Sequence, residues 1–578
     1  MLSPQYFLYL ATGTDGQSRL DLTSNPRIDA CLLEAKGFHT ICLLRPPQPL
    51  WIIETALQKL SLDSKHITTK FFLKRAIQIL KELSPQVRFS SDSLLLNDIK
   101  ADGFEPPDLE STFKGRSLLL SEIPELLRNY GHDLPWDAED WLQYLYCEGN
   151  IHREAAVSYD RIGLTYCRRC GSTKEINEDS CFFCGNPHCL TCSNCQNMGL
   201  AKSCTPLYSA PNLDKLGFKE KIKPVLNFQL TPPQFRASQQ LEIFWEQNSN
   251  EFLVWAVCGA GKTEVSFGII ARALSERARV LVAIPRKDVV QELLPRFEKA
   301  FPEVEVTALF GGSGNRFPDV PLTIATTHQC LRFYQNYDLI ILDEGDAYPY
   351  QGSAMLRFAV KRSLKPNGKM VIMTATPDQN LINKTSSGKI PFVTIPARPH
   401  RKPLIIPELI KQDLRVPTIP SSRWEPPPLI KQFLLDVKRN KRRGLIFLPT
   451  IKLINEVGEY LIKWANTQGI SGAIIHSRVR NRDTIKAELV NGAKDFLIAS
   501  TVLERGITIP NLDVLVLLAD NETVFDSRTL VQIAGRSGRL GEPARVIFTA
   551  KSVTKAMRDS YQWITKMNEE GLSLGYLD

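Results

Sequence analysis

The stretch FLVWAVCGAGKTEVSFGIIARAL (252–274) decides how the rest of the chain is read. FLVWAV is an apolar run without polar alternation, as in a strand buried on both faces, and VSFGIIARAL reads as the helix after it. Between them AVCGAGKT (256–263) has the spacing of a phosphate-binding loop, with Ala256 where the strict pattern has glycine. Gly259 and Gly261 let backbone N–H groups approach phosphate oxygens, Lys262 reaches the β- and γ-phosphates, and the Thr263 hydroxyl is placed for Mg²⁺. A nucleoside triphosphate is the expected ligand.

Further motifs fall in the order that such a site needs. The run YDLIIL ends in DEGD (343–346), which puts paired carboxylates at the C-terminal end of a strand. Asp343 is expected to hold Mg²⁺ and Glu344 to orient and deprotonate the attacking water. LTPPQFRASQQ (230–240) resembles a Q-motif, in which Gln234 would hydrogen-bond adenine and favour ATP over GTP. QIAGRSGR (532–539) places Arg536 and Arg539 three residues apart, so on a helix start they share a face and both can point at a γ-phosphate as arginine fingers. TAT (374–376) follows the strand MVIM and fits a segment that couples hydrolysis to domain movement.

Other segments suit a phosphate backbone. IPRKDV (284–289) offers Arg286 and Lys287, LFGGSG (309–314) offers the backbone of Gly311, and TTH (326–328) offers the hydroxyls of Thr326 and Thr327. LPT (448–450), HSR (476–478) and STVLERGIT (500–508) are their second-domain counterparts, with His476 and Thr501 as contacts. Hydroxyl and backbone contacts position a strand without reading its bases, so the expected binding is sequence-independent, salt-sensitive and single-stranded. Thr508 stands where many such motors carry an aspartate that contacts the ribose, which leaves sugar discrimination open.

Eight of the 13 cysteines lie between positions 167 and 204: Cys167, Cys170, Cys181, Cys184, Cys189, Cys192, Cys195 and Cys204. Clustered CxxC pairs indicate metal ligation rather than disulfides, and four thiolates satisfy one tetrahedral Zn²⁺. Eight suffice for two sites; the pairing stays open, and iron–sulfur ligation is the rival. His188 reads as an exposed loop histidine.

The surroundings bound the rest. At 578 residues the chain exceeds one core, and its 43% hydrophobic and 23% charged content is that of an ordinary globular protein. A net charge of +9 is compatible with a polyanionic partner. No apolar run approaches the ~18 residues that span a bilayer, and the start lacks the marks of a signal peptide, so a cytoplasmic location is expected. The expected organisation is a mostly helical accessory domain (1–158), a cysteine-rich zinc module (159–208), and two α/β RecA-like domains (225–395 and 396–578). IIETALQKL and TKFFLKRAIQILKEL carry the helical periodicity of the first.

The combination of CRRCGS, CSNCQNMGL, LTPPQ, GAGKTE, IPRKDV, IATTHQCLRFYQ, YDLIILDEGDAYPY, TATP, STVLERGITIP and QIAGRSGR resembles the ComFA family of competence ATPases, over roughly residues 160–560. The resemblance implies a superfamily 2 motor that translocates on single-stranded DNA during transformation. It implies that Cys167, Cys170, Cys192 and Cys195 hold one zinc ion, with Cys181, Cys184, Cys189 and Cys204 left for a second. The implied partners are a phosphoribosyltransferase-like competence protein and the membrane DNA-uptake channel, at the inner face of the membrane; an oligomer is left open. Replication-restart helicases of the primosomal type share the GKTE and zinc features, but there the cysteines interrupt the motor core, whereas here they precede it. A nucleotide-switched DNA clamp that does not translocate is the third reading.

Overall fold

The computed structural model describes residues 3–63, 68–101, 109–132, 138–160, 163–216, 221–314, 316–413, 425–501 and 509–578. Two parallel sheets dominate it. The first has seven strands, in spatial order Val306–Leu309, Leu322–Thr326, Val280–Ile284, Tyr337–Asp343, Leu364–Thr374, Glu251–Ala256 and Phe392–Ile395. The second has six: Glu408–Lys411, Val546–Ala550, Leu512–Val516, Arg443–Phe447, Phe496–Ala499 and Gly472–Ile475. Each apolar run that reads as a strand in the sequence is one. The uninterrupted burial of Val280–Ile284 and Leu512–Val516 is what a strand covered on both faces requires.

Amphipathic helices supply the cover. Lys287–Ala300 turns Val289, Val290, Leu293, Phe297 and Ala300 inward at helical spacing. There Phe267 meets Phe297 and Phe301 edge-on, with ring centroids 5.2 and 5.5 Å apart. In the second lobe, Asp526 caps Ser527–Ala534 by accepting from the Thr529 N–H at 2.8 Å, which fixes the helix that ends in GRSGR.

Residues 3–158 do contain the expected helices, Leu50–Asp63, Thr69–Leu83 and Ala138–Glu148 among them. What the periodicity did not announce is the antiparallel sheet on which the first two pack: Ser18–Thr23, Gln5–Gly13, Phe38–Arg45 and Ser90–Leu95 in spatial order. A second antiparallel sheet joins Arg116–Leu119 and His152–Ala155 through a central strand, Pro206–Ala210, that lies beyond the cysteines. The cysteine-rich segment is therefore inserted between two adjacent strands of one sheet.

That insertion is seated on the first motor lobe. Glu122 accepts from Arg169 Nη2 at 3.0 Å and from Arg332 Nε at 2.8 Å, tying the accessory region, the cysteine knuckle and the motor together. Arg362 donates to the Arg168 carbonyl at 3.0 Å. Gly171 has φ of +73°, and a Cβ there would lie 2.6 Å from the Phe358 ring. Gly171→Ala should therefore cost at least about 1 kcal/mol, from the left-handed backbone and the clash together. Thermal melting of the purified variant measures it; an unchanged melting temperature would mean that the knuckle does not rest on Phe358.

Candidate nucleotide and nucleic-acid site

The P-loop opens from the C-terminal end of Glu251–Ala256, and its turn is possible because Gly259 and Gly261 take φ of +80° and +75°. It forms one wall of a cleft of about 310 Å³ that contains Lys262, Thr263, Asp343, Glu344, Arg536 and Arg539. All five predicted catalytic side chains thus converge, three from one lobe and two from the other. Glu344 sits at φ +55°, a left-handed conformation that a non-glycine residue adopts only at a cost and that is typical of functional sites. Burial pushes the Asp343 carboxyl up to about 6, and the positive charge of Lys262 opposes the shift. A buried carboxylate beside a threonine hydroxyl at a P-loop fits Mg²⁺, and Thr263 and Asp343 are the residues that would hold it.

Several residues here escaped the sequence reading. Asp346 accepts from Thr374 Oγ1 at 2.7 Å, Thr376 Oγ1 at 2.6 Å and Gln532 Nε2 at 3.1 Å, so DEGD, TAT and QIAGRSGR meet on one carboxylate. Cys258 Sγ donates to Gln532 Oε1 at 3.1 Å, a second link between the lobes. Arg398 is fully buried. Its guanidinium donates to the carbonyls of Cys258, Gly535, Ser537 and Gly538 at 2.9, 2.9, 2.8 and 2.7 Å. Nothing in PARPH (396–400) announces this, because the acceptors are main-chain atoms far away in sequence.

Gln234 departs from expectation. Its Nε2 donates to the Ala260 carbonyl at 2.8 Å and its Oε1 accepts from the Thr231 N–H at 2.9 Å. The side chain closes the capping box of Pro232–Glu246 against the P-loop and does not line the cleft. The preference for ATP therefore loses the support that Gln234 gave it. An apolar cleft of about 480 Å³ next to it, which shares Glu264 and includes Leu226, Leu230 and the exposed Phe235, has room for a base.

The predicted strand contacts divide. Lys287 donates to the Gly311 carbonyl at 3.0 Å and lies over the Phe310 ring, so these two loops adjoin and stay exposed. Arg286 pairs with Asp288 at 3.2 Å. Thr326 and Thr327 must be corrected: both are buried, at 6% and 0% exposure, because they complete the inner end of the strand Leu322–Thr326. His476 is corrected likewise. It is buried, Nε2 lies 3.1 Å from Asn455 Oδ1, and Nδ1 accepts from the Arg478 N–H. The exposed groups beside it are Arg478, Arg480 and Arg482, which have no ion-pair partner among the described residues. Their alternate spacing in RVRNR is the signal that could have found them. Thr501 is half-buried at the end of Phe496–Ala499; Thr508 and the rest of its motif lie outside the described residues.

The cysteines resolve into two sets, Cys167, Cys170, Cys192 and Cys195, and Cys181, Cys184, Cys189 and Cys204. Within each set the four sulfurs lie within 4.8 Å of one another. The pairs Cys167–Cys195, Cys170–Cys192 and Cys181–Cys204 are separated by 3.9, 3.6 and 3.9 Å. A tetrahedral ion with Zn–S bonds of ~2.3 Å has edges of about 3.8 Å, so both sets fit one, and neither approaches disulfide length. Hydrogen bonding from Cys167 pulls the Cys192 thiol down while Cys170 is pushed up, the mark of crowded sulfurs sharing protons that a divalent cation would replace. His188 takes no part: it is exposed and 2.7 Å from Glu178.

Three family models match the chain: the competence protein ComFA N-terminal domain at residues 101–209, the type III restriction enzyme res subunit at 227–379, and the helicase conserved C-terminal domain at 427–541. Competence protein ComFA of Bacillus subtilis is 34% identical over 471 residues, covering 80% of this chain and 95% of that one. The chain belongs to the ComFA family. ComFA of Streptococcus pneumoniae is 32% identical, covering 75% of this chain and 98% of its own. The DNA helicase RecG of Thermotoga maritima is 24% identical over 62% of this chain and 46% of its own. Family membership and the two helicase models make this an ATP-hydrolysing, DNA-dependent enzyme of the superfamily 2 helicase type. The ComFA N-terminal match begins at residue 101, although the sequence motifs carry the resemblance only from about 160.

Two outcomes follow from this geometry. Arg398→Gln should lower kcat for ATP hydrolysis at least about tenfold, a fraction of what arginine fingers contribute, while nucleotide affinity changes less than about threefold. Equal loss in both, measured by steady-state kinetics and nucleotide titration, would reduce Arg398 to a fold element. Metal analysis should find two zinc ions per chain and about one in Cys181→Ser; full metal content in that variant would remove Cys181 from the ligands.

Proposed function

We propose that this protein is an ATP-driven translocase on single-stranded DNA that draws incoming DNA into the cytoplasm during natural transformation. The observation that carries the proposal is the shared cleft, in which Lys262 and Glu344 face Arg536 and Arg539 from the other lobe. A site assembled from two lobes makes hydrolysis depend on their closure, and closure is what moves a strand. Family membership supports the setting.

In this reading Lys262 and the P-loop N–H groups bind the phosphates of ATP, and the neighbouring apolar cleft takes the base. Glu344 orients the attacking water and accepts its proton, while Arg536 and Arg539 stabilise charge developing on the γ-phosphoryl group. Mg²⁺ held by Thr263 and Asp343 would neutralise phosphate charge. Asp346 couples the water-positioning strand to Gln532, so a shift at one lobe is felt at the other. Lys287, the Gly311 loop and the Arg478–Arg480–Arg482 strip hold the phosphate backbone without reading sequence. Both cysteine sets hold structural zinc. No helix among the described residues is long and apolar enough to cross a membrane, so work at a membrane channel would be peripheral. A phosphoribosyltransferase-like competence protein and the uptake channel are the proposed partners.

ATP hydrolysis measured without nucleic acid and with single-stranded DNA, duplex DNA or RNA, at two salt concentrations, tests this. Strong, salt-sensitive stimulation by single-stranded DNA alone is expected, and Lys262→Ala should abolish it. Stimulation by RNA or by branched duplex instead would overturn the transport reading.

A further inference from the structure

A cavity of about 510 Å³ lies where the accessory sheet, the cysteine knuckle and the first motor lobe meet. Ser117 and Arg153 line it from the sheet, Tyr166 and Arg168 from the knuckle, and Tyr334 and Arg362 from the lobe. Tyr334 and Arg362 just precede the strands Tyr337–Asp343 and Leu364–Thr374, whereas the P-loop and DEGD follow strand ends. The cavity is thus at the opposite end of these strands from the nucleotide cleft, roughly 20 Å away at ~3.3 Å per strand residue.

Its chemistry is cationic and aromatic. Three guanidinium groups face one carboxylate of the wall, Glu154, and Glu154 already pairs with Arg168 at 3.1 Å. Arg168 also bonds Glu54 and the Ala155 carbonyl, and Arg153 donates to Gln143 and the Leu22 carbonyl. Arg362 donates to the carbonyls of Arg168 and Leu331. Yet Arg153 Nε, Arg362 Nε and Ser117 Oγ are buried with no hydrogen-bond partner among the described residues, and Ser117 is 0% exposed. Native proteins rarely leave such groups unpaired, and the three residues that carry them all line this cavity, where an acceptor would lie beside them. Rings stand beside the cations: Arg153 lies 4.1 Å from the Tyr146 centroid and Arg362 5.4 Å from that of Phe358. Acceptor-rich anion and flat ring together describe a nucleotide.

We propose that this cavity binds one phosphorylated nucleotide unit, with the phosphoryl group toward Ser117, Arg153 and Arg362 and the base against the tyrosine rings. The unit comes either as a free mononucleotide or as the terminal nucleotide of a strand. The site is separate from the motor's ATP cleft and from its strand-binding loops.

Calorimetric titration of the full chain, with the P-loop cleft filled by a non-hydrolysable ATP analogue, tests this with dTMP as the probe. One dTMP per chain should bind more tightly than thymidine or inorganic phosphate. Ser117→Val, which suits its strand, and Arg362→Met should each weaken binding at least about tenfold while leaving DNA-free ATP hydrolysis unchanged. A 5′-phosphorylated thymidine oligonucleotide that outbinds its 5′-hydroxyl twin, with the gain lost in both variants, supports the strand end as source. A variant-sensitive response to dTMP alone supports the free nucleotide. Absence of dTMP binding, or equal binding by wild type and both variants, overturns the proposal.

Discussion

The buried guanidinium of Arg398 is the contact on which the assembled site depends. Each lobe is a parallel sheet with its own helices, and one buried cluster runs through both. They become one enzyme where Arg398 gathers the Cys258 carbonyl of the P-loop and three carbonyls of the GRSGR turn. Burial lowers its pKa to about 10, the direction expected for a charge placed among main-chain carbonyls away from water. In return the turn is held from its inner side, and Arg536 and Arg539 reach the cleft that holds Lys262. The two arginines proposed as fingers are thus held in place by a third that does not enter that cleft.

Asp346 does for the chemistry what Arg398 does for the architecture. Its carboxylate collects two threonines of the sheet that bears DEGD and one glutamine of the opposite lobe. Glu344, two residues earlier, is held in a left-handed conformation. A strained residue next to a shared carboxylate is a place where a small change at the phosphates can alter the lobe contact.

The motor was legible because its signals are contiguous. FLVWAVCGAGKT, YDLIILDEGD and QIAGRSGR each place chemistry at the end of an element whose type the same residues announce, and the structure brings all three to one cleft. Side-chain direction was not legible. Thr326, Thr327 and His476 have suitable chemistry, but they sit where a strand end turns them inward. Gln234 fits a motif by spacing, yet its amide serves a capping box. Arg398 and Asp346 act through partners far away along the chain, and no local pattern encodes that. The pairing of the cysteines is equally a tertiary fact: the two sets interleave in sequence, with four members of the second falling between or after members of the first. The accessory sheet was missed because Gln5–Gly13 and its neighbours mix apolar runs with short turns, while the helices beside them carry the clearer periodicity.

The cysteine-rich segment leaves the sheet after His152–Ala155 and returns as Pro206–Ala210, its immediate neighbour. Its two ends are therefore held about 4.8 Å apart, the spacing between adjacent strands, by hydrogen bonds that do not involve the metal sets. The entropy of closing such an excursion grows slowly, by only ~0.6 kcal/mol for each doubling of its length. The excursion can therefore change length at its outer loops without moving the two strands that anchor it. Coming away freely is closed to it: the side bearing Cys167, Cys170, Cys192 and Cys195 shares its buried cluster with Leu331, Phe333, Leu356 and Val360 of the first lobe, so loosening the knuckle would uncover motor core.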